Sequence, residues 1–129
     1  MLEIINYLRE RGVKQALFTS KGRKSAEITL QKLNIKDFFD LVLCGDEVLH
    51  PKPYPDGVIK ILKTLLVEPE ETLYLGDSPL DAEAAYKAGV HFALALWDFL
   101  PRENKREEEA EWVFHSPEEL WEWVQKIYD

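Results

Sequence analysis

Apolar positions recur at two periods along this chain, and the period switches regularly. Leu2, Ile5 and Leu8 fall at helical spacing, and Gly12 sits where a left-handed C-terminal cap is wanted. VKQALFT at 13–19 then predicts a strand. Helical spacing returns over 23–34 through Ala26, Leu30 and Leu33, and Leu41–Cys44 predicts a second strand. The loop 45–56 holds three prolines, after which Pro55 or Asp56 opens a helix with Val58, Ile59, Leu62, Leu65 and Leu66 on its buried side. Pro69 and Glu70 mark a turn before a third strand, Thr72–Leu75. A helix over about 79–88 packs through Ala82, Ala85 and Ala88 and ends at Gly89. VHFALAL at 90–96 is the next strand, followed by a polar loop from Asp98 to Ala110 and a short edge strand at Glu111–Phe114. Ser116-Pro117-Glu118-Glu119 is a capping box that starts a last helix facing inward through Leu120, Val124 and Ile127.

Strands alternating with helices at this rhythm imply βαβ units, a parallel sheet and helices on both faces. Ligands in such folds sit at the carboxyl ends of the strands. Three features fall there: Thr19-Ser20, Pro51-Lys52-Pro53, and Asp77 with Asp81.

Composition narrows the class. At 129 residues the chain is one domain, with no internal repeat and no linker dividing it. No apolar run approaches the roughly 20 residues of a membrane span, and residues 1–12 lack the pattern of a secretion signal. A net charge of −8 argues against a nucleic-acid partner. The single cysteine, Cys44, forms no internal disulfide, which suits a reducing, cytoplasmic compartment. It ends an apolar run and reads as a small buried hydrophobe.

Each strand-end feature has a chemical and a structural reading. A hydroxyl at Thr19 or Ser20 can donate to a phosphate beside a helix N-terminus, or Ser20 can cap that helix. Lys52 emerges from a loop stiffened by two prolines; it can neutralise phosphate charge, or sit solvated in a turn. His50 has no identifiable partner in the sequence. Asp77 and Asp81 can hold a hard divalent cation such as Mg²⁺, while Ser78-Pro79-Leu80-Asp81 is also a capping box that accounts for Asp81 without a metal. That box leaves Asp77 unexplained, because a bare carboxylate at a buried strand's end is costly without a partner.

The ordered set Thr19-Ser20-Lys21, Lys52-Pro53 and Gly76-Asp77-Ser78-x-x-Asp81 resembles the haloacid dehalogenase (HAD) superfamily, closest to its phosphoglycolate-phosphatase and β-phosphoglucomutase-like branch. The resemblance runs from the helix before Thr19 to SPEELWEWV. It implies a Rossmann-like three-layer α/β core, residues 1–129 forming a partial core domain without the inserted cap. It further implies that Thr19 hydrogen-bonds the transferring phosphoryl group with Ser20 beside it, and that Lys52 steadies the phosphate and the nucleophile. Asp77 would bind Mg²⁺ directly, and Asp81 would support it directly or through water. Such transfer is mostly positioning and charge stabilisation.

The family's attacking aspartate, in a D-x-D-x-[TV] motif on an earlier strand, has no counterpart here. Asp37 and Asp40 frame two phenylalanines at the wrong spacing, and Asp129 ends an amphipathic helix. Met1 falls where the family would be re-entering its core. The implied strand order is 5-4-1-2-3, with the absent strand in the middle, which leaves two apolar edges on the strands near 15–19 and 72–75. Three outcomes are open: the edges close on each other, a segment from another chain fills the slot, or the protein self-associates through it.

Two functions follow as expectations. One is a Mg²⁺-dependent phosphate monoester hydrolase core acting on a small phosphorylated metabolite. It is inactive alone, and Mg²⁺ is held weakly because the nucleophile's carboxylate is missing. The other is a degenerate module that binds a phosphate-bearing ligand or a protein and turns nothing over. A receiver-like signalling domain would need an acceptor aspartate that is not found.

Overall fold

The computed structural model describes residues 1–97 and 110–128. The expected loop 98–110, apart from Ala110, and Asp129 lie outside the described residues. The described elements are α1 (Leu2–Glu10), β1 (Ala16–Thr19), α2 (Arg23–Leu33), β2 (Leu41–Cys44), α3 (Asp56–Leu65), β3 (Leu73–Gly76), α4 (Pro79–Ala88), β4 (His91–Ala95), β5 (Trp112–Phe114) and α5 (Pro117–Tyr128). Short 3-10 turns at Lys36–Phe38, Gly45–Glu47 and Pro69–Glu71 lead into or out of strands. The α/β alternation is as the sequence predicts, and all ladders are parallel.

The first strand is shorter than expected. Val13 donates its N–H to the Leu8 carbonyl as part of the exit from α1, with Gly12 left-handed at φ 75°. Gln15 is tied to the Asp40 carboxylate at 2.7 Å, so regular pairing begins only at Ala16. Two inward-facing assignments are corrected. Leu66 is 85% exposed because it leaves α3 in a left-handed conformation at φ 58°, which turns its side chain off the helix's buried stripe. Ile127, in the last turn of α5, is 52% exposed; the buried positions are Leu120 and Val124.

Helices cover both faces of the strands. α3 and α4 pack Val58, Leu62, Ala82 and Ala85 against Phe92 and Leu94. On the opposite face, Ile4 of α1 and Leu120 and Val124 of α5 meet Ala93 and Phe114. Alternation along the strands produces this division, since neighbouring residues such as Phe92 and Ala93 point to opposite sides. α2 packs Ala26 and Leu30 on Val42 and Cys44, and Cys44 is buried as expected.

The strands form two separate sheets, β1-β2 and β3-β4-β5. Among the described residues no ladder joins β1 to β3, so the two edges do not close on each other. Among the described residues the facing edges of β1 and β3 thus bound an unladdered interval, at the position where the resemblance implies a central strand.

Candidate functional site

A cavity of about 430 Å³ opens at the carboxyl ends of the strands. Phe18 of β1 lines one side and Tyr74, Leu75 and Gly76 of β3 the other, with Lys52, Asp77, Asp81, Ala95 and Trp97 completing the wall. Three of the five residues singled out in the sequence, Lys52, Asp77 and Asp81, therefore meet in one place. Thr19 and Ser20 close β1 nearby but are not among the lining residues. The Thr19 hydroxyl accepts the Lys21 N–H at 3.2 Å, which shapes the turn after the strand.

The turn from β3 into α4 is built around Asp81. Ser78 is the N-cap: its hydroxyl accepts the Asp81 N–H at 3.2 Å and donates to Asp81 Oδ2 at 3.0 Å. Asp81 Oδ2 also accepts the Asp77 N–H at 3.2 Å, so the capping carboxylate reaches one residue farther back than a standard box. A Cβ on Gly76 would stand 2.6 Å from the Asp81 Cβ, which explains a glycine at the end of this strand.

Asp81 Oδ1 carries the other two contacts. Lys52 Nζ lies 2.9 Å away, and the Tyr74 hydroxyl donates at 2.6 Å. Both members of the ion pair are largely buried, with side chains 13% and 8% exposed. Lys52 also stands over the Phe18 ring at 4.6 Å. The proline-flanked loop, with a cis bond between Lys52 and Pro53, delivers this ammonium into the cavity, so the solvated-turn reading of Lys52 does not hold. Burial pushes the Asp81 carboxyl up, but Tyr74, Lys52 and Ser78 together outweigh it and hold the group below the usual carboxylate range. Burial first, then the charge of Asp81, pushes the Tyr74 phenol well up, so it stays a donor.

Other sequence readings resolve differently. Gly22 is the N-cap of α2, and the first N–H of the helix, that of Arg23, is served by the Asp46 carboxylate at 3.1 Å; Ser20 does not cap this helix. A Cβ on Gly45 would lie 2.3 Å from the Ser20 carbonyl, and this close approach brings Asp46 to the helix end. His50 has a partner after all, Asp56 at 2.9 Å. Asp46 and Tyr74 were missed because each acts through a partner distant in sequence or on the far side of a turn. The signal for Tyr74 was a polar-tipped aromatic in a strand of leucines, two residues before Gly76.

The donor chemistry is that of a hard-cation site, but the geometry is incomplete. A carboxylate offers about four acceptor directions, and Asp81 has all of them engaged by Tyr74, Lys52, Ser78 and the Asp77 backbone. Among the described residues no group of three or more His, Cys, Asp or Glu side chains gathers to hold a metal ion. As arranged, Asp81 has no acceptor direction left for Mg²⁺.

A parallel α/β core with Lys52 and a Gly-Asp-x-x-x-Asp turn meeting at the strand ends defines the class, and the comparisons agree. Residues 1–95 match the haloacid dehalogenase-like hydrolase family, and the chain belongs to it. It is 34% identical over 125 residues to a Caldanaerobacter subterraneus subsp. tengcongensis protein provisionally named pyrophosphatase PpaX, covering 97% of this chain and 56% of that protein. It is 39% identical over 93 residues to phosphoglycolate phosphatase of Aquifex aeolicus, covering 72% of this chain and 44% of that enzyme. A crystal structure from Thermotoga maritima, provisionally β-phosphoglucomutase, superposes with a TM-score of 0.87 at 27% identity, covering 97% of this chain and 58% of that one. The chain thus spans about half the length of the relatives it matches. No helix among the described residues is long and apolar enough to cross a membrane.

Proposed function

We propose that this chain is the phosphate-handling portion of a Mg²⁺-dependent phosphate monoester hydrolase, silent by itself because it contains no D-x-D nucleophile pair. The observation that carries this reading is the meeting of Lys52, Asp77 and Asp81 in one cavity beside the open interval. A buried ammonium there can neutralise a phosphate oxygen, and Asp77 and Asp81 supply negative charge for a cation. Thr19 and Ser20, at the end of the strand flanking the same interval, are the proposed hydroxyl donors to phosphate. The substrate class is a small phosphorylated metabolite in a cytoplasmic setting. Mg²⁺ supplies Lewis-acid charge stabilisation in such chemistry. Its affinity for the chain as it stands is weak, because Asp81 is committed elsewhere.

The missing nucleophile would come from an apolar extended segment entering the interval parallel to β1 and β3, whose facing edges carry no ladder among the described residues. The test is hydrolysis of an aryl phosphate in the presence of Mg²⁺, with and without a synthetic apolar peptide ending in Asp-x-Asp-x-Thr. We expect no turnover by the chain alone, turnover with the peptide, and its loss in Asp77→Asn. Turnover by the chain alone, abolished by Asp77→Asn, would reveal a substitute nucleophile. Phosphate binding without turnover in every arm would support a non-catalytic binding module instead.

A further inference from the structure

We propose that Tyr74 is a positioning residue that reserves Asp81 for Lys52 and keeps a divalent cation off the carboxylate. The inference rests on the phosphohydrolase reading only in taking the cation to be relevant; the lock itself is argued from geometry. Asp81 Oδ1 is shared by two donors of different kinds, the Lys52 ammonium at 2.9 Å and the Tyr74 phenol at 2.6 Å. The phenol bond is short, as expected for a neutral hydroxyl donating to a carboxylate.

Tyr74 is well placed to be the controlling donor. It stands on β3, and its ring is fixed in the core against Phe92 at a centroid distance of 5.9 Å, so its hydroxyl has little freedom to leave. The Lys52 ammonium, by contrast, sits at the end of a flexible stem above the rings of Phe18 and Tyr74, at 4.6 and 5.8 Å. It can turn toward an incoming phosphate while remaining in the cavity. Oδ2 is held by the Ser78 hydroxyl and the Asp77 N–H, which are part of the helix cap and are lost only if the turn opens. A cation can therefore gain Asp81 only at Oδ1, and while Lys52 holds its own direction there the cation must displace the phenol. Asp77 carries no part of this argument.

Tyr74→Phe keeps the ring and removes the hydroxyl. It should leave Oδ1 with one acceptor direction open and strengthen Mg²⁺ binding about tenfold, the effect of losing one charge-assisted competitor. Calorimetric titration of the full chain with MgCl₂ measures this. The second readout is spectroscopic and is taken on the wild-type chain. With tyrosines labelled at ¹³Cζ, and the Tyr74 signal assigned by its absence from Tyr74→Phe, Mg²⁺ should shift that signal in the wild-type chain. A purely structural role for the hydroxyl would leave the signal unmoved.

Unchanged or weaker Mg²⁺ affinity in Tyr74→Phe overturns the lock. So does absence of Mg²⁺ binding in both forms, and so does wild-type binding without movement of the Tyr74 signal. None of these outcomes depends on turnover, so the proposed hydrolase activity can fail while the lock stands, and the reverse.

Discussion

β4 lies between β3 and β5 and is laddered on both edges, whereas among the described residues β1 is laddered to β2 alone. Phe92, Ala93, Leu94 and Ala95 are buried, while all four residues of β1 are half-buried. Residue type does not explain this, since Leu17 and Phe18 are as apolar as their counterparts in β4. A strand with a neighbour on each side has its side chains hemmed in by those of both neighbours, and β1 has only one. β3, on the other side of the interval, is likewise at most half-buried along its length. The candidate site is built across these two less protected strands, with its charge pair supplied by the loop and helix that follow β2 and β3. Packing strength and chemical capacity therefore sit in different parts of the same domain.

The largest expected effect is at the buried ion pair of Lys52 and Asp81. Lys52→Met removes the partner of Asp81 and leaves a carboxylate whose side chain is 8% exposed without its counter-ion. Breaking a buried pair in this way costs about 3–5 kcal/mol, read as a loss of unfolding free energy in urea at neutral pH. Adding Asp81→Asn should recover part of it, because the uncompensated charge is gone. The penalty should shrink as pH falls. Asp81 titrates below its unfolded value, so the stability tied to its charged form is present above that value and is lost as pH drops through the folded one. A Lys52→Met variant as stable as wild type at neutral pH would mean that the loop around Pro53 swings out to let water reach Asp81.

The next test addresses the two strands with the same chemistry. Leu94→Ala, in the buried centre of β4, should cost about 3 kcal/mol, whereas Leu17→Ala, half-buried on β1, should cost about 1 kcal/mol. Both are read from urea midpoints with unchanged slope. The contrast sharpens if an apolar peptide that fills the interval raises the cost at Leu17 and leaves the cost at Leu94 alone. Equal costs without peptide would break the comparison, and would mean that the edge of β1 is covered in solution, by self-association for example.

Much of this organisation was legible from the sequence because it follows from period. Runs such as LVLC and VHFALAL, set between helical stretches, marked β2 to the residue and β4 to within one residue at each end. Gly76, Asp77 and Asp81 identified the turn because a tight strand-to-helix approach, a cap and a pair of carboxylates leave a spacing that can be read directly. The absence of a central strand between β1 and β3 followed from the family resemblance and the missing D-x-D motif, while whether the two edges would close on each other did not. What was not legible depends on orientation. Leu66 fits the helical stripe of α3 by number, yet its left-handed backbone turns it outward. Asp46 reads as an ordinary loop acid until the close approach of Gly45 to Ser20 carries it to the start of α2. The partners of Asp81 were legible as residues but not as a set, because Tyr74 and Lys52 converge on it from a strand and a loop that the sequence keeps 22 positions apart.

The smallest predicted effect lies at the other end of the well-laddered half, where β4 begins. His91 places Nδ1 2.6 Å from the Glu111 carboxylate and Nε2 2.8 Å from the Glu70 carbonyl. An imidazole can donate to both only when it carries two protons, so the bond to Glu111 first, and that to Glu70 next, raise its pKa above 6.5. In the unfolded chain the ring titrates near that ordinary value. The contribution of the charged ring is therefore complete below about pH 6.5 and is lost as pH rises through the higher folded value. Because His91 and Glu111 are both well exposed, solvent screens the pair and the change is small. Melting curves from about pH 6 to about pH 8 should show a slight fall in Tm for the wild-type chain, and a flatter profile for His91→Gln. An unaltered slope in His91→Gln would sink the assignment of the dependence to this ring. The clamp would then be a matter of geometry alone, joining the turn at 69–71 to β4 and to the segment entering β5 at any pH.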